Sequence, residues 1–187
     1  NYEGGKIVGL LAASPSGTVD FDNSGLLVLK SNVTSGSEKT TGDIGTSALK
    51  GDYVQSSTGE INLAVDSNAT AGTTYSQFNI TGSATLSSNA KISLDVKNSG
   101  VNISNADSFD NVLTTTGTLT SSSFNVTDNI MSLNFTAVND GTGNIDITAS
   151  STGLTTVAAA TTGAGAGAAK VFDNCLANSC SDEDFTN

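Results

Sequence analysis

Histidine, arginine and tryptophan are absent from this sequence, and proline and methionine occur once each. Without histidine, no Ser-His-Asp or Cys-His catalytic arrangement can be assembled within the chain. The basic residues are seven lysines against eighteen acids, a formal net charge of −11. Nucleic-acid backbones are bound by clustered Lys and Arg that displace counterions, so this balance argues against a nucleic-acid partner; acidity mainly promotes solubility. No apolar stretch approaches the roughly 20 residues that a membrane-spanning helix requires. The segment Lys6 to Ala13 is too short and too Gly-rich for that, and reads as a strand. Asn1 to Gly5 do not resemble a signal peptide, so an export signal is expected upstream and the chain reads as an excised or processed fragment.

Cysteine is nearly absent too: Cys175 and Cys180 are the two present. Redox and zinc sites usually show a tighter C-x-x-C pair with further ligands. The readings left are a small local disulfide, which we expect, and two free thiols. An ideal helix would hold residues five apart at roughly 8 to 9 Å between Cα atoms, beyond the about 7 Å limit of a bridge. A bridged pair therefore requires the helix to stop between them, at Asn178-Ser179.

Ser and Thr supply about a quarter of the residues, and Gly and Asn are abundant. So polar a chain stays disordered when its apolar residues are diluted. Here they are gathered into alternating runs: Glu60-Ile61-Asn62-Leu63-Ala64-Val65, Lys91-Ile92-Ser93-Leu94-Asp95-Val96 and Asn144-Ile145-Asp146-Ile147. Period-two alternation puts those side chains on one sheet face. We expect Ile61, Leu63, Val65, Ile92, Leu94, Val96, Leu133, Phe135, Ile145 and Ile147 to share one continuous core.

Apolar pulses recur every six to eight residues or so, from Val54 to Ile61, Phe78 to Leu86 to Ile92, Val112 to Leu119 and Val126 to Leu133. Longer gaps, Asp66 to Thr74 and Lys97 to Phe109, separate groups of pulses. Short strands with short corners fit the faces of a coiled ribbon whose turns hydrogen-bond at about 4.8 Å. At roughly 20 to 25 residues per coil, about six or seven rungs are expected. A β-sandwich is the alternative, but its tight hairpins want Asn-Gly or Asp-Gly, and Asp140-Gly141 is the one such dipeptide. The expected fold is all-β: a right-handed parallel β-helix over residues 1–149, with a loop insertion at about 31–45. Residues 150–169 read as an Ala/Gly/Thr linker and cap, and 170–187 as a short helix and acidic tail, with Val171, Phe172, Cys175 and Leu176 on one helical stripe.

Three blocks carry a family resemblance. Gly51-Asp52-Tyr53-Val54-Gln55-Ser56-Ser57-Thr58-Gly59-Glu60-Ile61-Asn62-Leu63 is similar to the "G-x-Y-x-Q-x-x-x-G-x-L-x-L" rung of bacterial autotransporter (type V secretion) passenger domains. Thr74 to Leu86 resembles their "Y-D-x-L-x-V-x-G-x-A-x-L" rung, with Gln77 a departure, and Phe109 to Thr114 their "F-x-V-L-x-A" strand. Ala169 to Asn174 looks like the "A-x-A-L-D" helix that precedes the outer-membrane barrel, whereas Cys175 and Cys180 lie outside the common pattern. The resemblance implies a non-enzymatic structural stem and folding nucleus, presenting an adhesive or virulence region at the surface of a Gram-negative cell or in secreted form. It implies the protein's own outer-membrane β-barrel, not in this chain, as partner. The alternative is a surface binding module, an adhesin for glycans, host protein or self-association.

An enzyme reading finds little support in the residues. Lyases on a parallel β-helix need a strong base such as Arg, and glycoside hydrolysis needs converging carboxylates. Asp20/Asp22 and Asp107/Asp110 are the candidate pairs, but Asp at strand ends and turns is ordinary. Asp182-Glu183-Asp184 carries calcium-type oxygens without a Gly-bearing loop, and reads as a solvated end. Six Asn-x-Ser/Thr triplets, at Asn32, Asn68, Asn79, Asn102, Asn125 and Asn134, are close to the number chance gives. No catalytic residue, metal or cofactor is expected.

Overall fold

The computed structural model describes residues 1–9, 17–29 and 43–152. The strands are β1 (Lys6–Gly9), β2 (Phe21–Asn23), β3 (Leu26–Leu29), β4 (Thr46–Lys50), β5 (Tyr53–Gln55), β6 (Glu60–Val65) and β7 (Gln77–Thr81). There follow β8 (Ala84–Leu86), β9 (Ala90–Val96), β10 (Ser108–Thr115), β11 (Leu119–Thr120), β12 (Phe124–Asp128), β13 (Leu133–Asn139) and β14 (Asn144–Ser151), with a 3-10 turn at Lys97–Gly100. Among the described residues no helix is long and apolar enough to cross a membrane.

From β1 to β12 consecutive strands do not pair with one another; each pairs with its counterpart one coil away. One face stacks β1-β3-β6-β9-β12, the second β2-β5-β8-β11, and the third β4-β7-β10, and every pairing within these series is parallel. A sandwich built of hairpins cannot supply that pattern, and the fold is a parallel β-solenoid of about three turns. The six or seven rungs expected from the sequence are therefore too many. Phe21, Tyr53, Ala84 and Leu119 lie in register, so successive coils take 32, 31 and 35 residues. The long gaps do not separate groups of rungs. They are in fact one corner of every coil, between the first and third faces, where residues 66–76 and 97–107 run.

Inward side chains stack in columns. Ile7, Leu27, Ile61, Ile92 and Val126 occupy one register position through five strands. All ten residues expected in the core are buried in it. Aromatic rings brace the second and third faces, Tyr53 packing edge-on to Phe78 at 5.3 Å and Phe109 edge-on to Tyr75 at 5.4 Å. Such pairs contribute about 0.5–1.5 kcal/mol beyond their buried area. One apolar pulse points the other way: Val54 is 41% exposed, while its polar neighbour Gln55 is fully buried.

The stack ends in antiparallel pairing. β13 and β14 form a hairpin, and β14 lies between β13 and β10. Asp140-Gly141, the dipeptide that signals a hairpin, sits in its turn, where Gly141 (φ 80°) and Gly143 (φ 102°) take the left-handed backbone that glycine allows. β10 bulges between Phe109 and Leu113, with Asn111 at φ 60° and its N–H donating to Asp146 Oδ1 at 2.7 Å. Such bulges bend a strand away from its ladder.

Candidate functional site

Side-chain chemistry concentrates at the corners. Between the third and second faces, Asp20 Oδ1 accepts the Asp52 N–H at 3.1 Å, and Asp52 Oδ1 accepts the Ser83 N–H at 2.8 Å. Ser83 Oγ continues the ladder to the Thr118 N–H at 3.3 Å. Each side chain thus gives a backbone donor of the next coil a partner within the chain in place of water. A glycine precedes each step because the corners approach closely: a Cβ on Gly82 would meet the Gly51 carbonyl oxygen at 2.2 Å. The signal was present in the sequence as Gly51-Asp52, Gly82-Ser83 and Gly117-Thr118, one coil apart.

Between the second and first faces the ladder is buried. Asn1 Nδ2 donates to Asn23 Oδ1 at 2.8 Å, Asn23 Nδ2 to the Tyr53 hydroxyl at 3.2 Å, and that hydroxyl to Gln55 Oε1 at 2.9 Å. Gln55 Nε2 donates to the carbonyls of Gly59 and Lys91, both at 3.0 Å. Tyr53 is fully buried, and that burial pushes its phenol far above the ordinary value. Asn23 and Gln55 were not singled out by sequence reasoning. Their signal lies in the Tyr53-x-Gln55 alternation, which puts both side chains on the inner face.

Three of the four expected acid candidates have local structural partners. Asp20 serves the ladder above; Asp107 Oδ2 accepts the Ser104 N–H at 2.7 Å, and Asp110 Oδ1 accepts the Ser108 hydroxyl at 2.5 Å. Asp22 is exposed on β2. Asp66 Oδ1 receives Asn98 Nδ2 at 2.8 Å and Asn102 Nδ2 at 3.2 Å, tying the long corners of successive coils. Among the described residues no group of three or more His, Cys, Asp or Glu could hold a metal ion. Of the triplet asparagines, Asn134 is exposed on β13, and Asn79 points outward from β7 to accept the Thr114 hydroxyl at 3.0 Å. Cys175, Cys180, the acidic Asp182-Glu183-Asp184, the 170–178 helix and most of the 31–45 loop lie outside the described residues.

A cleft of about 290 Å³ opens between the Gly117 corner and the hairpin turn, lined by Gly117, Thr118, Leu119, Asn139, Gly141, Thr142 and Gly143. Asp140 organises the turn by accepting the Thr142 hydroxyl at 2.5 Å, the Asn144 side-chain amide at 3.0 Å and the backbone N–H groups of both residues. The Thr142 and Asn144 side chains are the first causes that hold its carboxyl well below the usual carboxylate range. The lining offers hydroxyl, amide and backbone groups without a charged side chain. Compared with protein-family models, with curated proteins and with solved structures, the chain finds no match.

Proposed function

We propose that this chain is the non-enzymatic structural stem of an exported autotransporter passenger, whose last rungs nucleate folding and which holds an adhesive or virulence region at the cell surface. The observation that carries this reading is the column Ile7, Leu27, Ile61, Ile92 and Val126, a constant cross-section repeated from coil to coil. Each added coil lengthens such a stack by about 4.8 Å without altering its section, which is what a spacer needs. The Asp20, Asp52, Asn23 and Gln55 side chains join coils together, consistent with a mechanical role. The barrel that would export the stem belongs to the same gene product. The experiment is to express the full gene product in its source cell and treat intact cells with protease and antibody. The stem should be accessible at the surface, and should lose that exposure when the barrel is deleted; a purely cytoplasmic chain refutes the proposal.

The second reading, a surface binding module, is favoured by the uncharged cleft beside the hairpin, whose hydroxyl and amide lining suits a hydroxyl-bearing ligand such as a glycan. Binding of the purified chain to a glycan array, lost on Thr142→Ala, distinguishes it from a plain stem.

A further inference from the structure

We infer that Lys97 and Asn129 are joined by an amide bond formed after folding, with Asp95 as the proton shuttle. This goes beyond the stem reading and stands on a separate cluster. Asp128 pairs with Leu94, so Asn129 comes to lie beside Asp95 on the neighbouring coil. Asp95 is 7% exposed, and one of its carboxylate oxygens, Oδ2, pairs with the Lys97 ammonium. The other, Oδ1, accepts Asn129 Nδ2 at 3.1 Å. An attacking nitrogen and a leaving nitrogen therefore flank one carboxylate. The Asn129 carbonyl is held as well: Oδ1 accepts the Val96 N–H at 2.8 Å, and Nδ2 makes a further contact with the Val96 carbonyl at 3.3 Å. A backbone donor aimed at a carbonyl oxygen stabilises the negative charge that develops there on attack.

The chemistry balances without a co-reactant. Asp95 takes a proton from the Lys97 ammonium, and the neutral amine attacks Asn129 Cγ. The oxyanion forms on Oδ1 against the Val96 N–H. Protonated Asp95 passes its proton to Nδ2, the Cγ–Nδ2 bond breaks, and ammonia leaves; the attacking nitrogen then sheds its extra proton through Asp95 to that ammonia. In sum, an ammonium and a carboxamide become a secondary amide and an ammonium ion, and Asp95 is regenerated as the carboxylate. Holding nucleophile, carbonyl and shuttle together in the folded chain supplies the proximity that makes so slow a reaction feasible. The product would tie the long corner after β9 to the end of β12.

The test is the intact mass of the full chain after cysteine reduction, followed by trypsin digestion under denaturing conditions. The chain should be lighter than its sequence by one ammonia, and trypsin should fail to cut after Lys97. Lys97→Arg retains a positive charge beside Asp95 yet cannot form the bond, so it should show the full sequence mass and unfold at a lower temperature. Asp95→Ala should likewise restore the full mass. Full mass in the wild type overturns the inference. So does a deficit that persists in Lys97→Arg, which would come from elsewhere, and so does loss of one water, which would assign the bond to a carboxylate rather than to Asn129.

Discussion

Asn23 Nδ2 donates to the Tyr53 hydroxyl at 3.2 Å inside the stack, joining residues one coil apart. The same hydroxyl donates to Gln55, so a single oxygen satisfies two buried amides. Tyr53→Phe keeps the ring and removes that oxygen. Leaving a buried polar group unsatisfied costs about 1–3 kcal/mol, and a loss of that size is expected in denaturant unfolding of the variant. An unchanged midpoint and slope would mean that the ladder contributes nothing to stability.

The same residue sets an alkaline limit. Burial raises the Tyr53 phenol, with the Asn23 hydrogen bond opposing, and Tyr75 is raised by desolvation and then by the charges of Asp110 and Asp146. A phenol raised on folding gives stability that is complete below the unfolded value of about 10 and is lost as pH rises from there toward the folded value. Unfolding free energy should therefore fall as pH rises above about 10, and fall less steeply in Tyr53→Phe. Parallel pH curves for wild type and variant would contradict this.

The corner glycines make a sharper claim about rung spacing. An added Cβ on Gly82 meets the Gly51 carbonyl oxygen, a backbone atom that cannot swing aside as a side-chain end can. Gly82→Ala should cost at least about 1–3 kcal/mol, the usual range for overpacking. Thermal unfolding measures it; a variant as stable as wild type would show that the coils can spread at this corner.

The core strands were readable because their pattern is simple: Ile61, Leu63 and Val65 alternate with Glu60, Asn62 and Ala64, and a one-residue slip would expose the whole set. The coil length was not. A solenoid hides its period when one corner is much longer than the others, and the corner between the first and third faces takes eleven residues at both 66–76 and 97–107 while the others stay short. Val54 shows a related limit of hydropathy. In so short a strand as β5, hydropathy votes for Val54 inward, but Tyr53 and Gln55 win the interior because the Asn23 ladder satisfies their polar atoms. The Lys97, Asp95 and Asn129 cluster had no sequence signature, since Asn129 is brought to Asp95 only by pairing across one coil.

The last prediction concerns which part of the stack opens first. β6 and β14 are both interior strands, flanked by β3 and β9 and by β10 and β13 respectively, so simple exposure does not separate them. Their connectivity does. β14 meets β13 through one tight turn, whereas β6 must find partners a full coil away on either side. Closing a short loop costs less entropy than closing a long one, and local pairings form sooner than distant ones. The hairpin, anchored to β10, should therefore assemble first and template the parallel coils. Local openings should then begin in the earlier coils, at lower free energy than opening of the cap. Native-state hydrogen exchange reads this directly: amides of Ile145 to Ala149 should outlast those of Ile61 to Val65 at low denaturant. The reverse order would remove the folding-nucleus part of the proposed function while leaving the stem itself standing.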